Sequence, residues 1–429
     1  MEIGEGMALR LKNGDQVCIV GGGPAGSFAA LHLLRLAREA NLDLQVLIFE
    51  RRNFSTPGPA GCNRCAGVLS SRLLRGLETL GLDLPAEVVQ ASIHAYTVYL
   101  DGEPASVEQP DPGRGIVSVY RGGGPRLSAN GPVASFDRFL LDQAIEAGAQ
   151  LIPRFVRNIT WEGRPIVRIS GGSYPADLLV LANGINVRSP LDRSFRYQPP
   201  PTEIMAQDEV LRPPDWPDNR VSAYFRDPPG LTFGALIPKG DYLNISLLGR
   251  GLSTEAVSEF LEAQGLAASL PPGSLCGCTP RIAVGSAKGF YGDRWVAVGD
   301  AAVTRLYKDG IGSAYHTAQR AMQVAGGEGI AAADFRRGFL PLCRSISRDN
   351  LYGRRLFSLW ALTLRSARLL QAWRRAMQSE AGLKPVGRIH ARVLWGMMTG
   401  DDAYRELFWL TVSPRAVMSI VKELWQPRD

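Results

Sequence analysis

The chain has 429 residues, 45% of them hydrophobic and 21% charged; that balance excludes a disordered or collagen-like protein, and the length exceeds what one hydrophobic core usually serves. No apolar run reaches 18 residues, so no membrane-spanning helix is expected, and the mixed-charge opening "MEIGEGMALRLKNGDQ" lacks an apolar secretion segment, which points to the cytoplasm. The net charge of +7 is concentrated: residues 336–429 hold 17 Lys and Arg against 7 Asp and Glu, so any basic partner surface belongs to the last quarter.

In chain order, "QVCIVGGGPAGSFAALHLLRL" opens with an apolar run, Val17 to Val20, long enough only for a buried strand. Glycines follow at 21, 23 and 26, and an apolar helical pattern continues without a break through Leu36. Strand, GxGxxG turn and helix in this order suit close backbone approach to a pyrophosphate at a helix N-terminus. The next strand, "LQVLIFE", ends in Glu50, an acceptor for a ribose hydroxyl. These signals agree on a dinucleotide, and by themselves they do not choose between NAD and FAD.

The Pro/Gly-rich "GPAGCNRCAGVLS" follows, with Cys62 and Cys65 in a CxxC spacing. "SIHAYTVYLDGE", Ser92 to Glu103, alternates as a strand does, and "FDRFLLDQAIEAGA" reads as a helix. From Pro199 the sequence becomes turn-rich. "VSAYFRDPPGLTFGALIPKGDYLNISLLGRG" predicts antiparallel strands, with Tyr224, Phe225 and Phe233 as candidate pocket liners or as plain core. "SLCGCTPRI" adds a second close pair, Cys276 and Cys278, whereas Cys18 and Cys343 lie in apolar contexts that suit core positions.

"RWVAVGDAAVTRLYKDGIGSAYHTAQRA" repeats the earlier logic: a strand from Trp295 to Val298, then Gly299 and Asp300, a loop, and a helix starting near Gly310. An NAD half-domain has no need of this second phosphate-and-sugar loop. Beyond it, "GRRLFSLWALTLRSARLLQAWRRAM" predicts one helix with Arg354, Arg365, Arg368 and Arg375 in one sector and Leu356, Leu359, Trp360, Ala367 and Leu370 opposite. Trp360, Trp373, Trp395, Trp409 and Trp425 all fall in this quarter. The segment is either a docking face for an anionic membrane or a helical cap with a solvated arginine stripe. No nucleic-acid module is visible.

Taken together, "GGGPAG", "LLVLANGINVRS" (Ala182, Asn183, Gly184), "VGDAA", "CAGVLS" and "LWGMMTGDDAYRELF" resemble the FAD-dependent geranylgeranyl reductases of the aromatic hydroxylase-type flavoprotein superfamily. The resemblance implies an α/β fold: a doubly wound, Rossmann-like FAD-binding domain, an antiparallel β substrate domain and a helical C-terminal region. The expected boundaries are 1–90, 120–195 and 280–340 for the discontinuous FAD domain, 91–119 and 196–279 for the substrate sheet, and 341–429 for the helices. It also implies that Gly21, Gly23, Pro24, Ala25 and Gly26 hold the pyrophosphate, with Glu50 and Arg51 at the adenosine ribose and Gly299 and Asp300 at the ribityl chain or the pyrophosphate. Cys65, Ala66, Gly67, Ala182 and Gly184 border the flavin, and Gly310, Ile311 and Gly312 aim helix amides at its pyrimidine edge.

Two departures from the family pattern stand out. Val133 occupies a position where the family carries arginine, which leaves Arg121 or Arg138 to substitute, and "TRLYKDGIGSAY" puts Tyr307, Lys308 and Asp309 where the isoalloxazine belongs. Lys308 beside Asp309 reads either as a loop ion pair or as a cation serving reduced flavin. Cys65, Lys308 and Tyr307 are the candidate catalytic residues. Cys62, Cys65, Cys276 and Cys278 could together form a metal cluster or a redox disulfide, or Cys65 alone could act. The implied activity is reduction of carbon–carbon double bonds in an isoprenoid lipid or quinone side chain. The alternatives are an FAD monooxygenase on an apolar or aromatic substrate, and an electron-transfer or thiol-redox flavoprotein with a protein partner. No second nicotinamide fingerprint occurs, so the electron donor is either transiently bound NAD(P)H or a ferredoxin-like protein. A peripheral position on the inner face of a membrane is compatible with these expectations.

Overall fold

A computed structural model describes residues 9–62, 65–100, 102–126, 131–185, 188–225, 230–249, 251–253, 255–267 and 276–425. Its helices in chain order are α1 (Pro24–Glu39), α2 (Ser71–Thr79), α3 (Phe136–Glu146), α4 (Glu255–Ala263), α5 (Gly310–Gln323), α6 (Ala332–Gly338), α7 (Leu340–Leu364), α8 (Ala367–Glu380), α9 (Ile389–Thr399), α10 (Tyr404–Thr411) and α11 (Pro414–Leu424). Several begin by one device: Ser70, Ser135, Ser366 and Ser413 each accept a hydrogen bond from a first-turn amide of the helix that follows.

The fold is α/β. A six-stranded sheet runs in the order Tyr291–Gly292, Trp295–Ala297, Leu178–Leu181, Gln16–Val20, Gln45–Phe49, Gln150–Ile152, parallel except for the short pair at the Tyr291 edge. Strand Gln16–Val20 lies at its centre, covered on both faces, which is why its apolar run is continuous instead of alternating. α1, α3 and α5 pack on this sheet.

A seven-stranded sheet forms the second layer, in the order Arg281–Ala283, Thr202–Leu211, Tyr242–Gly249, Leu231–Lys239, Arg220–Tyr224, Ala95–Leu100, Glu103–Glu108. "SIHAYTVYLDGE" does join this sheet, through strand Ala95–Leu100. That strand pairs in parallel with Arg220–Tyr224, so the sheet is antiparallel everywhere but at this seam. Alternation gives the sheet two faces. Tyr224 falls on the outer one, stacked on Tyr99 with ring centroids 4.5 Å apart and packed on Phe260 of α4. It is core and not a pocket liner.

The single helix expected over "GRRLFSLWALTLRSARLLQAWRRAM" is two. Ser366 adopts an extended conformation and caps α8, and a serine in that role stops α7. Leu356, Trp360 and Leu370 are buried on the side of the seven-stranded sheet, whereas Leu359 and Ala367 are exposed. Trp360 meets Trp373 edge to face at 5.2 Å, and Trp395 meets Tyr96 of the sheet at 5.6 Å. α7, α8 and α9 are therefore a packed cap, and Arg354, Arg365 and Arg368 are its solvated side. Among the described residues no helix is long and apolar enough to cross a membrane.

Candidate active site

One cleft runs along the C-terminal edge of the parallel sheet, with some 2110 Å³ of free space including its open mouth. Its cavity volume of about 310 Å³ lies at the lower end of the ~300–1,000 Å³ of ordinary small-ligand pockets. The strand order fixes the order of its lining. Arg154 and Phe155 follow the edge strand, Glu50 and Arg51 the next, Gly21 to Ala25 the central one, Ala182, Asn183 and Gly184 the fourth, and Asp300 the fifth. This is the edge at which open α/β sheets bind ligands.

The residues here fit a dinucleotide on three observations. First, the backbone leaves no room for side chains. A Cβ on Gly21, where φ is +108°, would sit 2.4 Å from the Ala182 carbonyl oxygen, and one on Gly26 would sit 1.8 Å from the Gly21 oxygen. Second, two helix N-termini, those of α1 and α5, open at the cleft with no side-chain cap and no acidic residue in the first turn. Uncapped amides at both ends suit anionic groups. Third, the Asn183 Oδ1 is a buried acceptor in the cleft wall without a hydrogen bond among the described residues. Glu50 accepts from the Gly22 amide at 3.0 Å and the Arg52 amide at 2.8 Å, which fixes its carboxylate and leaves lone pairs for a sugar hydroxyl. Arg51 lies 5.3 Å from the Phe155 ring at the edge-strand end.

Of the residues singled out by sequence, Gly21, Gly23, Pro24, Ala25, Glu50, Arg51, Cys65, Ala66, Ala182, Gly184, Asp300, Tyr307, Lys308, Gly310 and Ile311 line this one cleft. Gly26, Gly67, Gly299 and Gly312 stand behind it, at contacts too close for a side chain. The Arg121 guanidinium lines the cleft and forms a buried pair with Asp137, whereas Arg138 is spent on Asp142 at 2.7 Å on the surface of α3. Val133 packs on Gly124. Burial raises the Asp300 carboxyl above its usual range, against the pull of Thr304 and Arg121.

The facing wall comes from the inner face of the seven-stranded sheet: Met205 and Gln207, Val221, Phe233, Ala235 and Ile237, Ser246 and Leu248, with Tyr96 beside them. All but Gln207 and Ser246 offer carbon, or an aromatic ring, to the cleft. Phe225 packs behind Phe233, between it and Trp360.

Lys308 stands between the two walls. Its Nζ lies 3.8 Å from the centroid of Phe233 and, among the described residues, has no carboxylate or hydrogen-bond partner. Burial alone brings its ammonium down from the usual lysine value to about 7. It does not pair with Asp309, whose carboxylate accepts from Ser70 Oγ at 2.9 Å and which burial raises to about 6. Tyr307 and Asp309, on either side, both have left-handed backbone, φ +64° and +57°. The Tyr307 hydroxyl donates to Glu203 at 3.2 Å.

Among the described residues no three His, Cys, Asp or Glu side chains converge on a metal position, although Cys62 stands near enough to Cys276 to act on its thiol electrostatically. Cys65 Sγ accepts from the Gly67 amide at 3.4 Å in the cleft wall. Cys276 instead reaches Glu209 at 3.5 Å, and burial, followed by Glu209, raises its thiol to about 12.

Sequence reasoning missed the fastening of this loop. Arg305 donates to the carbonyls of Gly400 and Asp402 and lies 4.1 Å from the Tyr404 ring. A Cβ on Gly400, φ +85°, would sit 2.7 Å from Asp309 Cβ. Asp401 accepts from Ser71, and Asp402 takes a two-pronged pair from Arg114 at 2.7 and 2.8 Å. "TGDD" was visible in the sequence as a motif but without a role. The turn chemistry of Gly400 followed by two acids was the available signal.

No family model and no curated protein sequence matches the chain. Among solved structures it is similar to a geranylgeranyl bacteriochlorophyll reductase-like protein from Thermoplasma acidophilum (TM-score 0.64, 15% identity, 96% of this chain and 99% of that one). It is also similar to a flavoprotein/dehydrogenase from Cytophaga hutchinsonii (0.60, 17%, 92% and 98%) and to the tetrameric form of 2-methyl-3-hydroxypyridine-5-carboxylic acid oxygenase (0.57, 16%, 88% and 96%). At these identities the likeness is one of fold, and it spans nearly the whole of each chain.

Proposed function

We propose that the protein is an FAD-dependent oxidoreductase that reduces carbon–carbon double bonds in an isoprenoid lipid or a quinone side chain. The observation that carries this reading is Lys308, an ammonium with no ionic or hydrogen-bond partner among the described residues, brought down to about 7 by burial between the C-terminal edge of one sheet and the apolar wall of the other. Saturating a double bond requires a hydride and a proton. Bound reduced FAD supplies the hydride.

The remaining roles belong to the chain. The turn from Gly21 to Gly26 and the N-terminus of α1 hold the pyrophosphate, Glu50 and Arg51 the adenosine ribose, and Asp300 the ribityl chain. Gly310, Ile311 and Gly312 open α5 toward the flavin. Met205, Val221, Phe233, Ala235, Ile237 and Leu248 bind an apolar chain and exclude water. The Lys308 ammonium donates the proton to the substrate carbon, and Cys65, in the same cleft, orients the substrate or relays that proton. The names of two similar structures, a reductase-like protein and an oxygenase, mark the second reading, a monooxygenase acting in the same apolar cleft. Electrons would come from NAD(P)H binding transiently or from a ferredoxin-like protein.

The test uses FAD-loaded protein reduced with dithionite under argon and offered geranylgeraniol or a menaquinone. Products two mass units heavier per reduced bond are expected. No such product without air, and an oxygen-containing product with it, would replace this reading by the monooxygenase.

A further inference from the structure

We infer that α11 is the membrane-contacting element of the protein and that it lies in the surface of an anionic bilayer. The sequence pattern leaves the arginine sector of residues 354–375 open between a membrane face and a solvated stripe, and Arg354, Arg365 and Arg368 lie on the outer side of a packed cap. α11 is built the other way round. Its buried side is narrow, Ala416 and Glu423, and turns toward α8, while Val417, Met418, Val421, Leu424 and the following Trp425 are 46, 63, 45, 39 and 85% exposed. At 100° per residue these five side chains fall within an arc of ~120°. Trp409 in the last turn of α10 and Val412 in the connection that follows are also exposed. Ser413 as cap and Pro414 at the first position fix where the helix starts, so the outward apolar face is part of a well-formed helix and not a frayed end.

Charge selects the occupant. Of the acidic residues after position 340, Glu380, Asp402 and Glu423 are buried, Asp349 accepts from the amides of Tyr404 and Arg405, and Asp401 accepts from Ser71 and Trp395. Among the described residues only Glu406 is exposed. On the other side of the balance, Arg344, Arg348, Arg354, Arg355, Arg365, Arg368, Lys384, Arg405, Arg415 and Lys422 are all exposed. The acids are turned inward and the bases outward. Arg415 and Lys422 flank the apolar arc directly, ~80–100° round the helix from Pro414. A second copy of the chain would set this positive surface against itself. A bilayer with anionic headgroups takes both features at once, the apolar stripe at the acyl boundary with Trp at headgroup level, and the bases among the phosphates.

The inference stands apart from the oxidoreductase reading, because partition is measured without turnover. The FAD-loaded protein is sedimented with vesicles of equal phosphatidylglycerol and phosphatidylcholine, and with phosphatidylcholine alone. Binding to the anionic vesicles is expected to be at least about tenfold stronger. M418Q/V421Q/W425Q should lower it by a similar factor with flavin absorbance and melting temperature unchanged, and R415Q/K422Q should reduce the anionic preference. Should the triple variant fold poorly, brominated lipid provides the check: it should quench the wild type more than W425F. Wild-type protein left in the supernatant with both vesicles overturns the inference. So does a triple variant that binds like wild type, quenching equal in W425F, or a dimer in solution that the triple substitution dissociates.

Discussion

Lys308 owes its chemistry to what is missing around it. A lysine ion-paired to Asp309 would keep its proton at neutral pH, whereas one facing the Phe233 ring and desolvated by its surroundings holds it loosely. Lys308→Met is expected to lower the rate of double-bond reduction by ~10²–10⁴-fold with flavin binding intact, as single-turnover assays would show. In the wild type, turnover should fall as pH rises above about 7, because the proton donor is then lost. Stability moves in the opposite sense. The folded pKa lies below the unfolded one, so this lysine opposes folding most at low pH, and the penalty disappears as pH rises through the interval toward the ordinary lysine value. Flavin-free Lys308→Met should accordingly melt higher than wild type at pH 6, with the gap closing above about pH 10. The residue was conspicuous in the sequence, because it stands in a loop that departs from the family pattern. Its isolation was not, since the absence of a partner is decided by strands and helices far away in the chain.

The elements differ in how openly the sequence declares them. The strand–glycine–helix unit from Gln16 to Glu39 is governed by local rules, turn geometry and apolar periodicity, and was legible residue by residue. Tyr224 and the helix break at Ser366 were not, for definite reasons. A strand's pattern gives its two faces but not which one meets the ligand, and one serine among strong helix formers becomes a cap only when tertiary packing turns the chain. The segment Thr399 to Asp402 is the extreme case, since its contacts are with distant parts of the chain, the loop at Arg305 among them. Gly400→Val adds a side chain where backbone handedness and Asp309 both forbid it, a strain of ~1–3 kcal/mol. FAD affinity, followed by flavin fluorescence, should weaken by about tenfold or more. Asp402→Asn breaks the pair with Arg114 and should destabilise the protein by up to ~3 kcal/mol in urea. Burial pushes the Asp402 carboxyl up, but Arg114 and Arg392 outweigh it and hold it below the ordinary range. Its contribution to stability is therefore present above that range and fades as pH falls through the folded pKa.

At the scale of the molecule, the cleft is a joint property. Residues lining it come from the parallel sheet, the seven-stranded sheet and α9, through Met398 and Thr399. A ligand that bridges all three should stabilise them together. FAD at 100-fold over its Kd is expected to add about 2.7 kcal/mol, visible in calorimetry as a higher and sharper melt. Separate transitions, with FAD raising only one of them, would mean that the layers unfold independently. The α/β architecture followed from the sequence because both nucleotide loops are local. The joining of the layers did not, because it is written in pairs such as Arg114 with Asp402, 288 positions apart.

That distance has a consequence in time. The loop carrying Lys308 is held by Gly400 and Asp402, so the glycine turn at Gly21 is synthesised hundreds of residues before the clamp that completes the cleft. A nascent chain emerging at ~5–20 residues per second therefore spends tens of seconds with half a binding site exposed. Cofactor loading is therefore expected to await completion of the chain, and chains truncated before residue 400 should emerge from translation colourless.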